Sequence, residues 1–204
     1  MNDPVETFKS QDGKMLLEIY CDEDPISPTE WDSIGTMVCG HSRYTLGNVQ
    51  CDSFEEHLEN EGLTENDIAI KLPLWLYDHS GLTMSCGDRT YPYNDQWDSG
   101  LVGTIYVTKQ KLREEYNVKR ISKTLLQKVE GYLKGQVENY DTYLRGDVYG
   151  YQTFTLEKCA SECTYCTDED HKVDADSCWG FFGDDGIKQI KAETKPEEGE
   201  WIAC

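Results

Sequence analysis

The stretch from Ser122 to Leu144 constrains the fold more than any other. Leu125, Leu126, Val129, Leu133, Val137 and Tyr140 recur at three- and four-residue steps. That spacing puts one apolar face on a long helix. Such a face must be covered, and the cover lies just upstream. LVGTIYVT (101–108) is rich in β-branched and aromatic residues and reads as a strand. Thr108 is placed to cap a short helix over KQKLREEY, and Ser122 to cap the long one. Gly131 and Gly135 inside the long helix each cost about 1 kcal/mol against alanine, or allow close packing on a sheet.

The remaining elements are shorter. Strands are expected over 13–20, 67–77 (with Pro73 at an edge or bulge), 82–86 and 147–158, and a short strand or turn over 176–183. Short helices are expected over 52–61 and 184–193. The fold class is therefore α+β: a mostly antiparallel sheet with helices packed on one face. The 204 residues are expected to form a single domain, 1–204, with a Cys-rich hairpin or loop near 159–178 and a flexible C-terminal tail. No apolar run approaches the roughly 18 residues of a membrane-crossing helix. MNDPVETFKSQDGK has no apolar stretch of the secretory kind, so a cytoplasmic setting is expected.

Charge narrows the function classes. The chain carries 39 acidic and 19 basic residues, net −20. Residues 1–70 hold 16 acidic and 3 basic, residues 71–150 hold 10 and 11, and residues 151–204 hold 13 and 5. Two acidic ends thus flank a near-neutral middle. That field repels free nucleic acid and attracts basic surfaces. A basic stretch, 109–134, has a net charge of +5, with Lys109, Lys111, Lys128 and Lys134 among its cations. It suits a solvated helix face or a self-association contact better than direct nucleic-acid binding, because the rest of the molecule opposes the latter.

Nine cysteines, an odd number, without a secretory signal point to reduced thiols. Cys159, Cys163, Cys166, His171 and Cys178 follow C-x3-C-x2-C-x4-H-x6-C. The spacing is close to a zinc ribbon's, and the three nearest cysteines with Cys178 or His171 would supply four ligands for one structural zinc. The competing readings are free thiols on a loop or hairpin, and a regulatory disulfide.

An aromatic residue beside an Asp-Ser turn recurs at Trp31-Asp32-Ser33, Tyr77-Asp78-His79-Ser80, Trp97-Asp98-Ser99 and Asp176-Ser177-Cys178-Trp179. Asp and Ser bond nearby backbone N–H groups, so these read first as structural turns, with Trp97 as part of the scaffold. If the turns converge, Asp32, Asp78, Asp98 and Asp176 could hold a divalent metal. Asp78, His79 and Asp98 are then the catalytic candidates. Adjacent Asp78, His79 and Ser80 cannot themselves form a triad. G-x-S-x-G, H-E-x-x-H, Walker and G-x-G-x-x-G motifs do not occur.

EWDSIGTMVCGHSRYTLG (30–47), LPLWLYDHSGLTMS (72–85), WDSGLVGTIYVTKQKLREEYNVKRIS (97–122), VENYDTYLRGDVYGY (137–151) and DSCWGFFGDD (176–185) resemble the matching segments of an uncharacterised protein family of phages, plasmids and gut bacteria. The resemblance spans roughly 13–190. It implies a mobile-element origin and a cytoplasmic setting in an infected host bacterium, and it brings no reaction and no catalytic residues. CASECTYC interrupts the run into DSCWGFFG and is a departure from the family pattern.

Charge and resemblance together favour a non-enzymatic inhibitor of a host nucleic-acid-directed defence, such as a CRISPR effector or a restriction enzyme. Its acidic ends would occupy a basic cleft built for DNA or RNA. Asp22, Glu23, Asp24, Glu55, Glu56 and Glu59 are the expected contacts with that basic host partner. The alternative is a metal-dependent enzyme acting on nucleotides or nucleic acid. A structural or regulatory protein with no fixed target is the third reading.

Overall fold

The computed structural model describes residues 3–87, 97–158, 170–196 and 199–204. They are α+β, in two antiparallel-dominated sheets. The chain divides into two compact units, named for their place along the chain: the inner unit, Ser27–Arg145, and the outer unit, Met1–Ile26 with Gly146–Cys204. Each unit has its own sheet and core.

In chain order, the inner unit holds β3 (Thr36–Cys39), β4 (Val49–Gln50), α1 (Phe54–Asn60), β5 (Ile68–Asp78), β6 (Leu82–Cys86), β7 (Ser99–Thr108), α2 (Lys109–Glu115) and α3 (Lys123–Leu144). The outer unit holds β1 (Glu6–Ser10), β2 (Met15–Cys21), β8 (Val148–Lys158), β9 (Asp170–Phe182), α4 (Gly183–Glu193) and β10 (Trp201–Ala203).

The inner sheet runs β4-β3-β7-β5-β6, so the β-branched strand of the sequence is its centre. Side chains alternate along β7 and β3 and feed two faces. Met37, Ile105 and Val107 point to the face covered by α3, where Val129, Leu133, Val137 and Tyr140 are buried. Each such side chain contributes about 1.5–3 kcal/mol by burial. Val38 and Tyr106 point the other way and pack with Leu58 of α1 and Ile68. Ser122 Oγ accepts the Leu125 N–H at 3.2 Å and starts α3; Gly146, at φ 74°, follows its end.

A bulge sets the phase of β7. Its register with β5 jumps from Gly103↔Leu74 to Leu101↔Trp75. Val102 is the extra residue, turned into the α3 core, while Leu101 is 64% exposed. Pro73 lies in β5 beyond the β6 ladder, whose pairing begins at Leu74↔Cys86.

The outer sheet runs β10-β1-β2-β8-β9. Leu17 and Ile19 of β2 pack with Tyr151, Phe181 and Ile190 of α4. On the opposite face of β2, Leu16, Glu18 and Tyr20 are also buried. Glu18 is satisfied there by the Tyr20 hydroxyl and the Lys172 ammonium, both at 2.6 Å. The end of the expected tail is a strand, because Trp201, Ile202 and Ala203 pair with Ser10, Lys9 and Phe8.

Candidate functional site

Two constellations emerge in the inner unit. The first is an acidic face. Ser53 Oγ accepts the Glu56 N–H at 3.1 Å and caps α1, whose first turn carries Glu55 and Glu56. Carboxylates suit the positive N-terminal end of a helix. The underside of α1 is anchored. Leu58 is buried against Val38 and Ile68. His57 is 3% exposed and shares a 2.7 Å hydrogen bond through Nε2 with the Tyr106 hydroxyl. Phe54 meets the Tyr106 ring edge-on at 5.2 Å.

The exposed positions of this segment are mostly acidic. Asp52, Glu55, Glu56, Glu59, Glu61, Glu65 and Asp67 are all exposed, and 52–67 contains no Lys or Arg. Glu65 pairs with Lys71 at 2.6 Å. Thr64 donates its hydroxyl and its backbone N–H to Asp67, which holds that carboxyl below its ordinary range. Glu55, Glu56 and Glu59 make no ion pair among the described residues. The other expected trio, Asp22, Glu23 and Asp24, belongs to the outer unit, just after β2. Glu23 and Asp24 are exposed there, whereas Asp22 is half-buried and accepts the Asp24 N–H at 3.2 Å.

The second constellation sits at the β5–β6 turn. His79 Nδ1 lies 2.8 Å from Asp98 Oδ2, and the Asp78 N–H donates to the Asp98 carbonyl at 2.8 Å. The His79 ring stacks on Tyr77 at 6.0 Å. Asp78 is ion-paired with the Arg43 guanidinium and accepts the Tyr44 hydroxyl at 3.4 Å. The three residues singled out from the turns therefore do meet. Arg43 and Tyr44 come from the β3–β4 connection, where no spacing in the sequence announced them. Asp32 stands elsewhere in the inner unit, and Asp176 lies in the outer unit, accepting the Tyr151 hydroxyl at 3.1 Å. The four turn aspartates do not all converge. Asp98 orients the His79 imidazole, an arrangement suited to proton transfer. Asp78 is occupied by Arg43.

Cys159, Cys163 and Cys166 lie outside the described residues. Cys178 and His171 are both exposed on β9. Seven positions along a strand separate them by roughly 20 Å, so one zinc cannot take both. Among the described residues no group of three or more His, Cys, Asp or Glu side chains is arranged to hold a metal ion.

The basic stretch is partly consumed inside the unit. Lys111 Nζ donates to the Ser33 carbonyl at 2.7 Å, Lys109 Nζ to the Asn66 carbonyl, and Lys134 pairs with Glu130 at 2.6 Å. Trp97 departs from its assignment to the scaffold. It is 94% exposed and precedes the first β7 pair, Ser99 with Tyr77, by two residues.

No family model, curated protein or solved structure matches the chain.

Proposed function

We propose that this protein is an acidic inhibitor of a host bacterium's nucleic-acid-directed defence, a CRISPR effector or a restriction enzyme, and that it occupies the basic cleft meant for DNA or RNA. The observation that carries the reading is the 52–67 face. Seven carboxylates point to solvent from a segment whose underside is fastened to the sheet by Leu58 and the His57–Tyr106 bond. A fastened backbone presents its charges at a lower ordering cost than a flexible tail would. Glu55 and Glu59 stand about 6 Å apart along the helix axis. That is on the order of two phosphate steps of a DNA strand, at 3.4 Å each. The resemblance to a mobile-element family supplies the host setting.

The test is capture of the partner from host lysate with wild type and with Glu55→Lys/Glu56→Lys/Glu59→Lys, followed by competition with duplex DNA. The reading expects capture to weaken steeply with salt, to be lost in the triple variant and to be displaced by DNA. Equal capture by the triple variant, or DNA and protein bound together, overturns it.

The His79–Asp98 pair beside Arg43–Asp78 favours a second reading, the metal-dependent enzyme on nucleotides or nucleic acid. Turnover of either substrate with added Mg²⁺ or Mn²⁺, lost in His79→Ala, would support it over the first.

A further inference from the structure

A groove of about 610 Å³ runs beside α3 within the inner unit. Its size falls in the range of ligand-binding clefts, roughly 300–1,000 Å³. Trp31, Tyr116 and Tyr132 line it, and Asp32, Glu115 and Glu138 lie among them. Trp31 is 40% exposed and Tyr132 50%. Three features bear on what it could take.

The glycines come first. Gly131 and Gly135 line the groove, and a Cβ built on either would have no atom within 4 Å. Close packing therefore does not explain them, although each weakens the helix. What their missing side chains leave is depth.

The second feature is an internal cation. Lys128 Nζ stands 5.5 Å from the centre of the Tyr116 ring and 5.4 Å from that of Tyr132. Lys128 is not among the groove-lining residues, and its place over both rings shows that these aromatic faces accept a cation. The third is surplus acid. Asp32, Glu115 and Glu138 make no ion pair among the described residues.

We infer that this groove receives an extended, arginine-bearing segment of the partner protein. The inference rests on the proposed function for the partner's basic character, and adds a second, shape-selective contact to it. Guanidinium is the fitting head group, because it stacks on aromatic faces and pairs bidentately with carboxylates, where ammonium does neither as well. From 131 to 139 the helix rises about 12 Å. That length matches three or four extended residues at about 3.3 Å each.

The test uses the full chain and a fluorescein-labelled Ser-Arg-Gly-Arg-Ser peptide, with the citrulline version as the uncharged control, at about 150 mM salt to screen distant charge. Fluorescence anisotropy should show saturable binding of the arginine peptide only. Gly135→Leu, which keeps the net charge and fills the floor, should weaken it about tenfold or more, as should Asp32→Asn/Glu138→Gln. Gly135→Ala should raise the melting temperature, whatever its effect on the peptide. The Glu55/Glu56/Glu59 reversal should retain peptide binding even where it loses the partner, so failure of the acidic face and failure of the groove read out separately. A folded Gly135→Leu that binds as wild type, or equal binding of the citrulline peptide, overturns the inference. If Gly135→Leu does not fold, the Asp32→Asn/Glu138→Gln pair decides: undiminished binding there overturns it equally.

Discussion

Gln136 of α3 closes both backbone hydrogen bonds of Gly35: the Gly35 N–H donates to Oε1 at 3.1 Å and Nε2 donates to the Gly35 carbonyl at 3.0 Å. A side-chain amide here does the work of a neighbouring strand, just before β3 begins. The approach is close enough that a Cβ on Gly35 would stand 2.5 Å from Leu133 Cδ2 and 2.7 Å from Gln136 Oε1.

Gln136→Ala leaves a buried donor and a buried acceptor without partners. At about 1–3 kcal/mol per orphaned group, the expected loss is about 2–6 kcal/mol, read as a lower urea midpoint with an unchanged slope. Gly35→Ala should destabilise comparably by forcing Leu133 aside. Wild-type stability in both would mean that the pairing contributes nothing.

Thiol reactivity should split the cysteines. Burial pushes the Cys39 thiol up to about 12 and that of Cys86 up to about 11, while Cys178 and Cys204 are exposed. At pH 8, iodoacetamide should label Cys178 and Cys204 in the native protein and reach Cys39 only after denaturation. Peptide mapping of the alkylated protein checks this.

Alkali should unfold the outer unit's packing. Burial, reinforced by the bond to the Asp176 carboxylate, pushes the Tyr151 phenol up to about 12, and burial with Glu18 raises Tyr20 likewise. The fold favours the neutral phenol, whereas the unfolded chain ionises near the ordinary value of about 10. The stabilisation is therefore whole below about pH 10 and is lost as pH climbs toward 12. Denaturant midpoints across that window should fall, less steeply in Tyr151→Phe.

Added salt should raise the melting temperature, because the 52–67 carboxylates repel one another and screening relieves that repulsion. Glu59→Lys, near the C-terminal end of α1, should stabilise by about 0.3–1 kcal/mol, and Glu55→Lys, in the first turn, should not. A protein whose melting temperature falls between low and moderate salt would contradict this.

The elements that were legible in the sequence are those whose periodicity is enforced by burial. The stripe from Leu125 to Tyr140 and the run of β7 each commit a face to one core, so spacing and structure agree. β1 was not, because Glu6–Ser10 is short and mixed in polarity, and its identity as a strand depends on β2 and β10. The division into two units depends on which strands pair, and pairing of β2 with β8 is invisible to local pattern. His79 and Asp98 could be suspected from matching turns. Arg43 could not, because nothing adjacent to it in the chain needs a cation; its partner Asp78 arrives 35 positions later.

β2 and β8 are register neighbours, with Cys21 opposite Tyr149, yet the whole of Ser27–Arg145 is synthesised between them. At about 5–20 residues per second, the first half of the outer sheet waits on the order of ten seconds on the ribosome for its second half. Throughout that interval Leu17 and Ile19, fully buried in the finished protein, have no Tyr151 or Phe181 to cover them. The inner unit has all its strands in hand before β8 emerges, so its sheet can close first. A nascent chain at that stage carries an open β1–β2 edge, and a chain arrested there should be more open to proteolysis at Leu17 and Ile19 than the finished protein.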